Sequence, residues 1–558
     1  MSSKDASNTS KAPSLLESLD LTVFIFPAVL ILLFIVLAFA APGPFAEGAS
    51  GVLGFLNSNF AWLYAMGTFA MICFCFWAAF SKYGDIKLGG KDAKPEMSFF
   101  SWFAVALTSG IAIGIVFWGV AEPVTFFTDP PGFTGWEPGS VEAAEGVLKF
   151  NFLHWGIHPY AIYTTVGLCC AFIILNGKRK FAVSSSLIPL IGDRAAAGTP
   201  GKLVDGLAIF ALVGGVGTSL GLAVDQFVTG INYVFHTDLN ANVIAVAFIA
   251  GMALVYIGAA VIGLQKGIKR ISNLCMYLYI ALLIWGFIFG GTLLIVNNTI
   301  TSIGQYLAFI IPQSFYLEPF HQTGWVSGWS IFYYAWWLAF APLVGLFFVK
   351  LATGRTIRQF VMVNLVAPVF FAFLWFGVLG TGAINFEMTT GAITAAMEEW
   401  GLPATLFIYL EQLPLAPVFI FIGFLIIVFS FVTIAESMTL SLAEMTTKTE
   451  AMEQRREAGK DAPNSLKVFW GVLMGAIAMA LYYAGGLSSF QASSIVCAFP
   501  IVILQCVMIV SFVKSMRHRS EYDMTLTDQE RAELAAQEAA ARLDQPAEEA
   551  VETVGAAG

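Results

Sequence analysis

Charge is scarce in this chain: of 558 residues, Asp, Glu, Lys and Arg make 12%, against 58% hydrophobic residues. That balance excludes an ordinary soluble domain and leaves a polytopic membrane protein. Histidine is scarcer still, with five residues. His154 and His158 stand at i and i+4, but without an HExxH pattern or a carboxylate in their own segment. Satisfied intramembrane histidines are therefore a simpler reading than a metal site. The seven cysteines all fall in apolar stretches, without the spacing of a zinc site or a disulfide framework, and read as small buried residues. No GxxxxGK[ST] loop offers direct ATP coupling, no nucleophile and base stand together, and no repeated filter sequence marks a channel. The polar first twenty residues show no signal-peptide pattern.

What is abundant is apolar sequence in bilayer-length runs. They lie at about 21–41, 59–80, 99–120, 148–175, 203–234, 242–264, 274–296, 328–351, 361–380, 415–445, 466–486 and 493–514, which predicts an all-α protein with twelve transmembrane helices. With a cytoplasmic N-terminus, 27 of the 28 basic residues fall on the inner side, and only Lys149 lies outside. The positive-inside rule thus puts both ends in the cytoplasm. The net charge of −9 is mostly local, because residues 521–558 carry ten acidic and two basic side chains, or −8. This tail reads as a solvated, partly helical extension, and such acidity excludes nucleic acid as a partner.

The chain divides into a tail (1–20), two leading helices (21–98), five helices (99–296), a linker (297–327), five more helices (328–515) and the acidic tail (516–558). The first helix of each five is the unusual one. One contains Ser109-Gly110-Ile111-Ala112-Ile113-Gly114 and ends in Ala121-Glu122-Pro123; the other holds the aromatic run and is expected to break at Ala341-Pro342. Interrupted helices at matching places in two halves point to the substrate site of an inverted-repeat transporter. In the linker, 299–317 reads as an interfacial helix on the outer surface. The acidic loop at about 381–414 is expected outside.

Residues 329–342, WSIFYYAWWLAFAP, hold seven aromatic side chains in fourteen positions. On a helix, Tyr333, Trp336, Trp337 and Phe340 fall at i, i+3, i+4 and i+7 and form one stripe. Trp155, Tyr160 and Tyr163 supply a second aromatic wall around Pro159, which frees the Trp155 carbonyl and distorts its turn. A quaternary ammonium has no N–H to donate, so aromatic faces hold it without the desolvation cost of a carboxylate partner. Each cation-π contact contributes about 0.5 to 2 kcal/mol. A zwitterion also carries a carboxylate, which the free amides of the glycine-rich break suit.

Four segments resemble the betaine/carnitine/choline transporter family: the glycine stretch running into Phe117-Trp118-Gly119-Val120-Ala121-Glu122-Pro123, HWGIHPYAIY at 154–163, IFYYAWWLAFAP at 331–342, and Gly354-Arg355-Thr356-Ile357-Arg358. Tyr83-Gly84-Asp85-Ile86-Lys87-Leu88-Gly89 fits as well, and the resemblance covers about residues 20–515. It implies a leucine-transporter-like inverted repeat of five plus five helices, alternating access in the plasma membrane, assembly as a homotrimer, and no catalysis. It further implies an aromatic box of Trp155, Tyr160 and Tyr163 with Tyr334, Trp336, Trp337 and Phe340, and a backbone site at Gly110, Ala112 and Gly114. Tyr160, Tyr334 and Phe340 stand where betaine carriers tend to have tryptophan, and Ala112 replaces a glycine. Gly114 departs from the aspartate of choline carriers, which favours a zwitterion. A coupling sodium would be held near Thr108, Ile111 and Thr433, but Ile434 stands where sodium-coupled relatives have serine. The expected function is import of a quaternary-ammonium or betaine-like solute, coupled to a cation. The alternatives are sodium-independent exchange of such solutes and, from another class, an osmolyte channel.

Overall fold

The computed structural model describes residues 15–110, 112–262, 265–457 and 460–543. Ile111, residues 1–14 of the N-terminal tail and residues 544–558 of the acidic tail therefore lie outside the described residues. The described chain is helical, with no strand and only two isolated bridges, Leu19 to Thr447 and Lys87 to Thr356. Its principal helices are α1 (Leu21–Ala40), α2 (Pro42–Phe80), α3 (Phe99–Gly110), α4 (Ala112–Thr128), α5 (Leu148–Trp155) and α6 (Ile157–Ala171). After them come α7 (Thr199–Phe235), α8 (Ala241–Ile262), α9 (Gln265–Phe289), α10 (Thr292–Phe315), α11 (Phe332–Ala352) and α12 (Ile357–Thr390). The last four are α13 (Ala416–Met445), α14 (Asn464–Tyr483), α15 (Leu487–Arg517) and α16 (Asp528–Leu543).

Among the described residues, twelve helices are long and apolar enough to cross a membrane, and the bent pair of α3 and α4 makes a thirteenth span if counted as one. The protein is thus an integral, multi-pass, all-α membrane protein. The additional candidate is α10: helix begins at Thr292, before the linker, and runs through Pro312 to Phe315, giving 24 residues where a shorter surface helix over 299–317 was expected. The bundle is sorted by burial rather than by polarity, as lipid requires. In α1, Leu21, Ile25, Val29, Leu32 and Val36 are exposed apolar side chains, whereas the described run from Phe332 to Val349 of α11 is buried on every side. Packed lengthwise against α6, α7 and α15, α11 is the axis of the molecule.

Two breaks matter. Between Gly110 and Ile113 the chain turns, leaving α3 and the rest of α4 inclined at 69°. The second lies at Gly156, where φ −90° and ψ −125° end α5. A Cβ there would stand 2.2 Å from the Phe152 carbonyl oxygen, so glycine is required. The break expected at Pro342 is absent. Helix α11 continues through it to Ala352 after a π-helical turn at Ser327–Ile331. A proline costs one hydrogen bond and a carbonyl clash, and packed neighbours on all sides hold the rest of the helix in place.

On the face that carries the basic loops, two of the family-like segments bind each other. Gly354 N–H donates to Leu88 O (2.9 Å), Leu88 N–H to Arg355 O (2.8 Å), Ile357 N–H to Ile86 O (3.0 Å) and Arg358 N–H to Gly84 O (2.8 Å). Arg358 also reaches Asp85 at 2.6 Å and the Ala79 carbonyl at 3.0 Å. The acidic tail is less solvated than expected. Asp523 is buried and accepts from Asn176 and Thr525, and Met524 N–H donates to Asn176 O. Glu530 of α16 pairs with Lys91.

Candidate solute-binding site

The stripe of α11 faces the break between α5 and α6. Trp155 lies 5.0 Å from Trp337, 6.2 Å from Trp336 and 5.4 Å from Tyr333, ring centre to ring centre. Trp336 and Trp337 are 4.4 Å apart. All four rings are buried. Gly114, in the first turn of α4, completes the group, since a Cβ there would stand 2.8 Å from Trp155 and 2.9 Å from Trp336. The indoles thus pack on one another. A cation within about 6 Å of each ring centre needs them parted.

Each polar atom of this wall has a partner. Trp336 Nε1–H donates to Gly215 O and to Ser219 Oγ, both at 3.2 Å, and Trp337 Nε1–H to His154 O at 3.2 Å. The carbonyl at the helix break that meets the stripe is that of His154, beside the Trp155 carbonyl that Pro159, lacking an N–H, leaves without its helical donor. Glu122 of α4 organises the rest. It accepts from Trp155 Nε1–H (2.6 Å), from the Tyr333 hydroxyl (2.7 Å) and from His154 Nδ1 (2.7 Å). His154 Nε2 lies 2.9 Å from Ser330 Oγ.

Tyr163 and Phe340 meet below this group at 6.0 Å, with Tyr163 also 6.3 Å from Trp337. Gly110, the last residue of α3, has room for a Cβ 3.8 Å from Tyr163 and 3.6 Å from Val344. Tyr334 is elsewhere. Its ring stacks on His158 at 5.2 Å, and among the described residues it makes no ring contact with the tryptophans. Tyr160 is buried in α6 and likewise has no described ring contact. Ala112 opens α4.

The expected sodium ligands meet only in part. Thr433 Oγ1–H donates to Thr108 O at 3.1 Å, and Thr108 Oγ1–H donates to Ala104 O at 2.8 Å. Ile111 lies outside the described residues, and the buried side chain of Ile434 has no oxygen to offer. Two mutually bonded oxygens are a poor match for a hard cation that takes several oxygen ligands.

Above Glu122 the group is sealed by rings. Phe126 contacts His154, Trp325 and Trp329 at 6.0, 5.1 and 4.7 Å, and Trp118 lies 5.4 Å from Trp329. Lys149 sits on this rim over Trp136 (4.7 Å) and Phe309 (4.8 Å). Helix α10 reaches inward here. Its buried Tyr306 hydroxyl accepts from Ile157 N–H at 3.2 Å, and Ser314 lies 2.8 Å from His158 Nε2. On the opposite side a vestibule of about 840 Å³ opens among the basic loops, lined by Val105, Phe347, Lys350, Leu440 and Glu444. Phe347 is two turns along α11 from Phe340, about 10 Å.

With that geometry in view, the comparisons are specific. The profile described as BCCT, betaine/carnitine/choline family transporter, matches residues 22–521. The chain belongs to the betaine/carnitine/choline transporter family. It is 37% identical to a "Probable glycine betaine transporter" of Desulfitobacterium hafniense, over 89% of this chain and 97% of the relative. It is 33% identical to an ectoine/hydroxyectoine transporter of Virgibacillus pantothenticus, over 90% and 97%. An osmo-independent choline transporter of Acinetobacter baylyi is 32% identical, over 89% and 94%.

The geometry brings to this site three residues that sequence reasoning did not assign to it. Tyr333 was on the predicted stripe, yet the box inferred by resemblance took Tyr334 in its stead. Glu122 is an acid inside a span, a signal that marks functional positions. Tyr306 carried no sequence signal beyond its place in the linker.

Proposed function

We propose that the protein is a secondary transporter that imports a betaine-like zwitterion or other quaternary-ammonium solute by alternating access. The observation that carries this is the group formed by Trp155, Tyr333, Trp336 and Trp337 at the first turn of α4. Its rings suit a methylated cation, and the positive N-terminal end of α4 suits a carboxylate. The seal above and the vestibule below support a cycle in which the rings part and access changes side. The relatives' names, covering glycine betaine, ectoine and choline, support the solute class.

The same reading includes an inverted repeat of α3–α9 and α11–α15, a plasma-membrane location, and cytoplasmic termini. On this view α10 lies against the outer face. Were it to cross, the basic residues after it, from Lys350 to Arg542, would change sides, against the charge rule. Leu293, Ile300, Leu307 and Ile311 leave an exposed apolar flank on α10, consistent with lipid or with neighbouring copies in a homotrimer; native mass spectrometry in detergent tests the latter.

Ile434 favours a second reading of the energetics, sodium-independent exchange. Both readings are tested by reconstituting the purified chain and measuring uptake and counterflow of glycine betaine, carnitine, choline, a sulfonium zwitterion and ectoine, with and without sodium. Saturable counterflow of a methylated zwitterion is expected, and its absence across the panel overturns the function. A sodium gradient is expected to accelerate native uptake less than about twofold, with Ile434→Ser raising that dependence; strong sodium drive in the native protein overturns the exchange reading.

A further inference from the structure

The cage wall holds a buried acid that no proposed solute contact requires. Glu122 is fully buried, and its one ion-pair partner among the described residues is His154. Trp155 Nε1 can only donate, and a second donor on the same oxygen comes from Tyr333. A neutral imidazole with its proton on Nδ1 satisfies the remaining contacts. It donates to Glu122 and accepts the Ser330 hydroxyl at Nε2. With that tautomer Glu122 is a carboxylate, directly behind the rings of Trp155 and Tyr333.

We infer that Glu122 is the counter-charge of the cage, a positioning residue that makes the pocket select a positively charged trimethyl head over a neutral head of the same shape. This deepens, and rests on, the reading of the site as a betaine-type pocket. Two effects act together. An N–H or O–H donated to a carboxylate pushes electron density into its ring, which strengthens the negative π face that a cation meets. The charge itself also attracts the cation through a poorly screened interior. At a separation of about 7 Å and an effective dielectric of about 20, a unit charge changes affinity by roughly tenfold to a hundredfold. Choosing the cation in this way avoids direct contact between carboxylate and methyl groups. A direct carboxylate neighbour would have to lose its hydrogen bonds, whereas Glu122 keeps three.

The test uses the full purified chain and two solutes of matched shape, glycine betaine and 3,3-dimethylbutyrate, in which carbon replaces the quaternary nitrogen. Both carry the carboxylate, so their affinity ratio isolates the head charge. The native ratio, from titration of tryptophan fluorescence, is expected to exceed about 100 in favour of betaine. Glu122→Gln should lower that ratio at least tenfold, while Glu122→Asp, which keeps the charge, should hold it within about threefold. A merely structural role would weaken both solutes alike and leave the ratio unchanged, which overturns the proposal. So does a native ratio below about 3, a result that needs no variant to fold. Loss of the ratio in Glu122→Asp also overturns it. If the native protein binds neither solute, it is the betaine-type reading that falls.

Discussion

The two walls of the candidate site are built differently. In the upper wall, Trp155, Tyr333, Trp336 and Trp337 each have their polar atom bonded, to Glu122, Gly215, Ser219 or the His154 carbonyl. In the lower and flanking part, the hydroxyls of Tyr160, Tyr163 and Tyr334 are buried with no hydrogen-bond partner among the described residues. Unmade bonds in a dry interior cost about 1–3 kcal/mol each. A protein that satisfies one set of rings and leaves the adjacent set unsatisfied has fixed the first and left the second able to gain by meeting a polar group. The upper wall holds its rings by bonds at their polar edges and must part to admit a cation, whereas the lower wall has hydroxyls free to bond a solute as it rearranges.

The largest effect should come from removing the centre of the fixed wall. Trp337→Leu takes away a ring, the bond to His154 O and part of the cage, and is expected to abolish saturable uptake, a loss of more than about 100-fold, with normal membrane insertion. Uptake kinetics like those of the native protein would break the contrast between the walls. Next is Gly114→Ala. The added carbon meets two indoles at 2.8 and 2.9 Å. Overpacking of this kind costs about 1–3 kcal/mol, so solute affinity should fall roughly tenfold or more, as read by fluorescence titration. Tyr333→Phe deletes one bond to Glu122 while keeping the ring, for which a charge-assisted hydrogen bond of about 1.5–3 kcal/mol sets the scale. A five- to fiftyfold loss of affinity is expected. The smallest change belongs to the flanking wall: Tyr334→Phe removes a hydroxyl with no hydrogen-bond partner among the described residues, next to His158, and should alter affinity less than about twofold and raise thermal stability slightly. If Tyr334→Phe proves as damaging as Tyr333→Phe, the division into fixed and adaptable walls is wrong.

How far the sequence carried this picture depends on what kind of rule was applied. Helical periodicity brought Tyr333, Trp336 and Trp337 to one face, and their ring contacts share that face. Matching to a family pattern moved the choice by one residue, to Tyr334. One residue is 100° on a helix, enough to turn that ring toward α10 and His158. Glu122 is an acid inside a span whose place in the site is not legible locally, because its partners come from 32, 33 and 211 residues away. Local pattern does not encode such pairings. Apolar runs located the spans but not their ends: α2 begins at Pro42 rather than near 59, since Gly43, Gly48, Gly51 and Gly54 dilute the run without stopping the helix. The helix expected to break at Pro342 stays whole for the opposite reason, because tertiary packing overrides a local signal.

The pairing of residues 84–88 with 354–358 has a mechanical consequence. It fastens the loop before α3 to the end of α11, and Arg355 also donates to the Met97 carbonyl, two residues before α3 begins. The lower end of α3 and the lower end of α11 are therefore lashed together, while α3 is uncoupled from α4 by the bend after Gly110. Force applied to α11 from the loop side passes into α3 as from one strut to another and stops at the bend. The joint thus lies beside the tryptophans, so a small swing of the lashed pair would be felt first as a change in spacing between Gly114 and the ring of Trp336.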